Sequence, residues 1–354
     1  MTEVDRLKDH VAGWDALADR ASRARGGGGI VAAWAVHMLP SDTELRVWVA
    51  TEGTEVVGVL PFVAETMPRG RFRLLPPTTD LMFGTVPIAH PDCAVQVADA
   101  VADDFVAHAE TVDMATIYWL PQGSPWSSAL GRRLVSPDWE AVRTQYDAQY
   151  ACIPSGMDPW MAARDKVFRQ GVGRRARRAE EQGFRLVTTE DAAEIMERFP
   201  RLQSFYVRSQ EARGGQGYRF DDDMIRTIET AQALSPAGRF ALTVLENDDV
   251  VIGASLVVRA GTKMSCWLIG HDPEWSRFGP GVAALLESIA AGSRAGCDAA
   301  DLGLGDHRYL RDFKDGCAPL ESVTWCRPRL ARLLKLRSPA VPGDGGETRP
   351  VPAG

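Results

Sequence analysis

Two stretches of the chain alternate apolar and polar positions in the manner of paired strands. Leu45 to Ala50, the polar turn Thr51-Glu52-Gly53-Thr54 and Val56 to Val63 form the first pattern. Phe240 to Leu245, Glu246-Asn247-Asp248-Asp249 and Val250 to Val258 form the second. Alternation broken by a tight polar turn predicts a β-hairpin. Val56-Val57-Gly58 superposes on Val251-Ile252-Gly253, and the likeness continues downstream. His90-Pro91 opens a helical stretch from Val95 to Ala109. A strand, Met264 to Gly270, and His271-Asp272-Pro273 precede another from Val282 to Ala295. Each helix is followed by an Asp-led strand, Asp113 to Leu120 and Asp298 to Leu304. The order hairpin, strand, helix, strand thus occurs twice, which predicts an internal duplication. A hairpin demands antiparallel pairing, and a strand-helix-strand crossover favours parallel pairing. The expected class is α/β (α+β): two tandem units, each a mixed, mostly antiparallel sheet flanked by helices.

A helical insertion separates the halves. Asp158 and Pro159 suit a helix start, and the spacing carries that helix to Gln182, with Gly183 as its stop. On this reading Arg164 shares a face with the arginines that follow. Ala192, Ile195, Met196, Phe199, Leu202 and Tyr206 recur at helical spacing behind Asp191. A flexible loop, Ser209 to Phe220, carries Gly214, Gly215 and Gly217. Asp221-Asp222-Asp223 open the next helix, near Met224 to Leu234. The Pro- and Gly-rich stretch from Ser338 to Gly354 has no periodicity and reads as a disordered tail. The expected division is 1–150, 151–336 and 337–354.

Composition narrows the classes. The 354 residues are 45% hydrophobic and 25% charged, the balance of a globular protein. A net charge of −7 argues against DNA and against nucleic-acid binding by the whole protein. No apolar run reaches the ~20 residues of a membrane span, and Met1 to Asp9 lacks the apolar core of a secretory signal. Six cysteines without a CxxC pair read as thiols in a reducing compartment. Scattered histidines predict no metal site. A cytoplasmic protein is expected. Trp34, Trp48, Trp119, Trp267 and Trp325 sit in apolar surroundings and read as core.

The richest chemistry lies between Trp267 and Lys314. Gly279 and Gly281 flank Pro280 just before the second crossover helix, of which Val282 is an early residue. Glycine permits close approach to a ligand, and the first helical N–H groups with the helix dipole favour an anion such as a pyrophosphate. The same residues also suit a plain turn with Pro at the first helical position. The first half has Asp92-Cys93-Ala94 at the matching place, so no phosphate is expected there. Arg174, Arg175, Arg177 and Arg178 cover a broad arc of one helix. They suit either a solvated face or an anionic partner.

Trp267-Leu268-Ile269-Gly270-His271-Asp272-Pro273, Gly279-Pro280-Gly281, Gly305-Asp306…Tyr309 and the Arg-rich helix resemble the GNAT acyltransferases of the cellulose-biosynthesis (CelD/BcsL) type. The resemblance spans about residues 10 to 330. It implies two tandem GNAT units, related in plan to Fem-type aminoacyl transferases, and use of acetyl-CoA or another acyl-CoA. Two positions depart from the pattern. Ser276 stands where the general phosphate loop has Gln or Arg, with Arg277 one residue later, and Leu310 follows Tyr309 where the group usually has Lys. Acyl transfer needs a base, oxyanion donors and an acid for the leaving thiolate. His271 and Asp272 are candidates for the base, Tyr309 for the acid, and Asp306 for orienting the acceptor. Arg277, Gly279, Gly281 and Val282 are expected to hold the donor. Arg174, Arg175, Arg178 and Lys314 are expected to meet the substrate. The expected activity is transfer of an acyl group, acetyl above all, to an amine or hydroxyl of a small molecule or saccharide. The alternatives are an aminoacyl-tRNA-dependent Fem-like transferase and a non-catalytic GNAT-like scaffold.

Overall fold

The computed structural model describes residues 4–77, 86–134, 138–211, 222–235, 239–248, 250–304 and 308–337. Their contacts divide them into two units. Unit 1 holds the chain up to Ala148 and from Cys317 onward; unit 2 holds most of the remainder, Gln149 to Gly316.

Unit 1 begins with α1 (Val4–Arg20) and α2 (Gly28–His37). The first hairpin is β1 (Thr43–Glu52) and β2 (Glu55–Met67), antiparallel throughout. β3 (Arg71–Leu75) and the short β4 (Ile88–Ala89) both pair with β2. The crossover helix α3 (Ala94–Ala107) leads to β5 (Val112–Pro121), which runs parallel to β3. α4 (Pro125–Leu134) and β6 (Glu140–Cys152) follow, and the last four residues of β6 belong to unit 2. One sheet face packs on α3 and α4 through Phe62, Leu74, Phe105, Ile117 and Leu130.

Unit 2 opens with α5 (Met157–Ala162), α6 (Lys166–Glu180), β7 (Arg185–Thr189), α7 (Ala192–Glu211) and α8 (Asp222–Leu234). The second hairpin is β8 (Phe240–Glu246) and β9 (Val251–Ala260), with β10 (Lys263–His271) antiparallel to β9. The crossover helix α9 (Pro280–Arg294) returns to β11 (Ala299–Leu304), parallel to β10. The expected order of elements therefore occurs in both units, with the expected mixture of pairings. β12 (Gly316–Cys326) and α10 (Pro328–Arg337) close the chain. β12 pairs with β5 and supplies the fully buried Val323 and Trp325 to unit 1. The final strand in chain order thus completes the first unit's sheet.

A glycine in each hairpin sets the crossover helix. A side chain at Gly58 of β2 would drive its Cβ to 2.1 Å from Val97 Cγ1 of α3. At Gly253 of β9 it would lie 2.7 Å from the backbone carbon of Pro280, the first residue of α9. Val56-Val57-Gly58 and Val251-Ile252-Gly253 match in sequence because both strands must admit a helix at that point.

The long helix expected from Asp158 to Gln182 is two helices. Asp165 intervenes, and its carboxylate accepts the N–H groups of Val167 and Phe168, which caps α6. Gly156, not Asp158, precedes α5. Arg164 is therefore not part of the α6 face: it pairs with Asp315, and its guanidinium lies 4.2 Å over the Trp160 ring. Gly183 ends the segment with a left-handed φ of 77°, as read from the sequence. The core assignment of tryptophans holds for Trp34, Trp267 and Trp325. Trp48 and Trp119 are only half-buried. The glycine-rich loop from Gly214 to Gly217 and the Ser338–Gly354 tail lie outside the described residues. Among the described residues no helix is long and apolar enough to cross a membrane, and no His/Cys/Asp/Glu group could hold a metal ion.

Candidate functional site

Parallel strands β10 and β11 pair only through Lys263–Ser265 and Ala299–Asp301. Beyond that point β10 continues to His271 and β11 to Leu304 without a ladder between them, so the strands part. Asp301 sits at the parting. Its carboxylate accepts from Ser265 Oγ of β10 at 3.1 Å and from the Gly303 N–H at 2.8 Å. Gly303 has φ +91°, a conformation that glycine adopts without strain. On the other edge of β10 the register with β9 slips between Cys266 and Leu268, so Trp267 is an extra, bulged residue. Its indole N–H is buried and has no hydrogen-bond partner among the described residues.

β10 leads through His271 and Asp272 into a 3₁₀ turn, Pro273–Phe278, and then to α9. Gly279 links the two with φ +60° and ψ 46°, in the left-handed region. Its N–H donates to Ser276 O, and its carbonyl accepts the Ala283 N–H. Pro280 has no N–H. The first donors presented by the helix are therefore the backbone N–H groups of Gly281 and Val282, at the positive end of the dipole. A Cβ at 281 would stand 3.5 Å from His271 Nδ1 and 3.6 Å from Ile269 Cγ1, ordinary contact distances. Packing does not require glycine there, yet its absence of a side chain leaves the helix end open toward β10.

Arg175 of α6 reaches this helix end. A Cβ on Gly279 would meet its Cδ at 3.0 Å and its guanidinium at 3.3 Å. His271 lies beside position 281. The Ser276 hydroxyl donates to Pro273 O at 2.7 Å and also lies 3.3 Å from His271 Nε2. The Nδ1 edge of the ring faces position 281. Arg277 turns away: its guanidinium lies over the rings of Phe278 (4.9 Å) and Trp275 (5.8 Å). A cation from α6 stands where a loop cation was expected.

The structure thus brings together His271, Gly279, Gly281, Val282 and Arg175, a set drawn from three of the sequence groupings. Asp272 is separate. It is 8% exposed, accepts from Glu274 N–H at 3.1 Å and pairs with Arg208 of α7 at 3.1 Å. Its carboxylate caps the turn and anchors the end of α7. The backbone of Lys314 accepts from Arg164 at 3.3 Å, beside Asp315. The Asp315 carboxyl is pushed up by burial, but hydrogen bonds from Arg164, the Cys152 N–H and the Trp160 indole hold it below the usual range. Arg174 and Arg177 line an open groove of about 570 Å³ with Lys166, Arg169, Gln170 and Gly173. Arg178 is exposed on α6, outside that row. The backbone of Tyr309 lies in the 3₁₀ turn Arg308–Asp312; its side chain, and the whole of Asp306, fall outside the described residues.

Sequence reasoning missed Asp301, Gly303 and the Trp267 bulge. Asp301 lies in an expected strand, and only the end of the parallel ladder shows that it marks an opening.

Residues 166–311, from the start of α6 to the turn after β11, match the family model described as an acetyltransferase (GNAT) domain. No curated protein gives a match. The chain is similar in fold to the crystal structure of FemX, with a TM-score of 0.64 over 94% of this chain and 98% of that one, at 11% identity. A DUF2156 domain from a provisionally named lysylphosphatidylglycerol synthetase of Agrobacterium fabrum gives 0.57 over 97% and 100%, at 12% identity. A conserved protein of unknown function from Bacteroides thetaiotaomicron gives 0.55 over 92% and 97%, at 11% identity. The chain therefore has a GNAT-like mixed α/β fold, and its residues 166–311 carry the match to the GNAT acetyltransferase domain.

Proposed function

We propose that this protein is an acyl-CoA-dependent N- or O-acyltransferase whose donor binds in unit 2. The observation that carries the reading is the open N-terminus of α9, with two backbone donors, near Arg175 and His271, that have no partner among the described residues. A pyrophosphate suits that set: N–H groups and the dipole face it, a guanidinium flanks it, and no side chain at 281 fills the space. The gap between β10 and β11 gives an extended pantetheine-like arm a passage past the parting at Asp301. When bound, an acyl-CoA supplies a thioester whose C–S bond breaks as the acceptor nitrogen or oxygen bonds the acyl carbon. In this reading His271, whose Nδ1 edge faces position 281, flanks the donor and remains the candidate base for the acceptor's proton. Tyr309, in the turn after β11, remains the candidate proton donor to the departing thiolate, and Asp306 the candidate for orienting the acceptor. Asp272 acts on the shape of the turn, through its cap and Arg208. Arg277 steadies the loop on Trp275 and Phe278. We assign the protein to the cellulose-biosynthesis type of GNAT acyltransferase, acting in the cytoplasm, with acetyl as the first donor to try.

Unit 1 lacks this arrangement. α3 starts after Cys93, and the Asp92 N–H is already taken by His90 Nδ1 at 3.3 Å. One observation favours an aminoacyl-tRNA donor instead: the α6 groove, whose lining includes Lys166, Arg169, Arg174 and Arg177 and no acid. The test is thermal unfolding with acetyl-CoA, with longer acyl-CoAs and with tRNA, on the parent and on Gly281→Ala. A ligand at a hundredfold excess over its Kd stabilises by about 2.7 kcal/mol. The proposal expects that shift with an acyl-CoA in the parent and its loss in Gly281→Ala. A shift with tRNA alone would favour the Fem-like reading.

A further inference from the structure

Helix α6 gathers the unmatched positive charge of unit 2. Its 15 residues hold six cations, Lys166, Arg169, Arg174, Arg175, Arg177 and Arg178, and one acid, Glu180. Elsewhere in the unit guanidinium groups meet carboxylates: Arg164 pairs with Asp315, Arg208 with Asp272, Arg259 with Glu190 and Arg294 with Glu287. None of the six α6 cations has a carboxylate partner among the described residues. The whole chain carries −7, so this concentration is local. Arg174 stands three and four positions before Arg177 and Arg178, and like charges at that spacing destabilise a helix. An anion that bridges them removes that cost.

Four of these cations line the α6 groove of about 570 Å³ together with Gln170 and Gly173, and its lining holds no acid. At about 100° per residue, Lys166, Arg169, Gln170 and Arg177 fall on either side of Gly173, with Arg174 at the edge of the arc. Arg175 points to the far side of the helix, where it meets Gly279. The row from Lys166 to Arg177 runs roughly 16 Å along the axis. Gly173 is its floor. A Cβ there would meet nothing within 4 Å, and glycine inside a helix is less stable than alanine. Packing does not explain it; what it provides is bare backbone in the middle of a cationic row. Gln170 adds an amide donor and acceptor beside it. A chain of acidic sugars meets each of these features. Its carboxylates take the guanidinium groups in bidentate pairs, its hydroxyls take the Gln170 amide, and a ring lies against Gly173. Charge alone would suit RNA as well. Single strands, however, are held by bases stacked on aromatic side chains, and duplexes across two successive grooves. A single row with no aromatic residue offers neither.

We infer that the α6 groove binds an acidic oligosaccharide with carboxylates along its length. That the bound sugar is the acyl acceptor rests on the transferase reading; the binding itself does not. The experiment is isothermal titration of oligogalacturonate, oligoguluronate and hyaluronan oligosaccharides into the full chain at physiological ionic strength. Cello-oligosaccharide, polyphosphate and tRNA are the comparators. The variants are Gly173→Ala, Gln170→Ala and the double change Arg169→Gln with Arg177→Gln, with thermal unfolding and acetyl-CoA stabilisation measured on each. At least one acidic oligosaccharide should bind the parent, and the neutral one should not. The double arginine variant should bind roughly tenfold more weakly or worse, since it loses two charge-assisted contacts. Gly173→Ala should raise the thermal midpoint and still weaken sugar binding, a combination that a purely structural glycine would not give. All three variants should keep their acetyl-CoA stabilisation, because Arg175 is untouched. No binding of any acidic oligosaccharide by the parent, or binding unchanged in Gly173→Ala and the double arginine variant, overturns the inference. So does binding of tRNA alone. Polyphosphate bound as tightly as the sugars, with Gln170→Ala indifferent, would reduce the groove to charge and overturn it too. Absence of acetyl-CoA stabilisation in the parent while sugar binding follows the expected pattern would count against the transferase reading alone.

Discussion

At the scale of single residues, the two glycines before α9 act differently although the sequence presents them as a pair. Gly279 holds a left-handed φ with Arg175 against its open side. Gly279→Ala should therefore lower stability by about 1 kcal/mol or more through backbone strain. Gly281 has room for a methyl group, so Gly281→Ala should keep its urea midpoint and lose donor binding alone. A Gly281→Ala protein that unfolds early would show that glycine serves packing there. The glycines, His271 and the arginines were legible because special backbone and charge leave marks in composition. The partition among them was not. Nothing in the spacing says that Arg175 leaves its neighbours to meet Gly279, that Arg277 lies on aromatic rings, or that Asp272 is tied to Arg208. Those are contacts between residues far apart in the chain, set by which way α6 and α7 face.

At the scale of elements, hairpin, crossover helix and returning strand were readable in both halves, since each has its own periodicity. The break between α5 and α6 was missed because Asp165 is an ordinary polar residue until its carboxylate is seen capping Val167 and Phe168. The two matched glycines make a sharper claim. Gly253→Ala places a methyl against the Pro280 backbone and should destabilise by roughly 1–3 kcal/mol in urea unfolding. It should also weaken donor binding, because it displaces the start of α9. Gly58→Ala should cost a similar amount and leave donor binding intact. Asp315 gives a pH prediction. Its folded pKa lies below the ordinary value, so it contributes stability above about pH 4 and loses it as pH falls through the lower folded value. Asp315→Asn should be less stable than the parent by about 1–3 kcal/mol near neutrality, because the amide has no charge for Arg164 and one acceptor oxygen in place of two. That gap should shrink on acidification below pH 4, read as converging urea midpoints.

At the scale of the whole molecule, the duplication was legible and the closing of unit 1 was not. Chain order suggests that each half finishes its own sheet. Instead β12 pairs with β5, and Val323 and Trp325 are buried among side chains of α3 and α4. A chain ended after Lys314 should lack a cooperative transition for unit 1 in calorimetry, although it keeps every residue of the proposed donor site. Retention of the full unfolding heat would contradict that account. The same connection sets a clock on the ribosome. After Ala148 is made, roughly 170 further residues must emerge before β12 exists, and at 5–20 residues per second that takes roughly ten to thirty seconds. Throughout that interval β5 has an open edge, with no strand beside it to occupy its backbone groups. The nascent first unit is thus a natural client for a chaperone. Translation speed between α5 and β11, rather than the stability of the finished protein, should govern how much of it is recovered soluble.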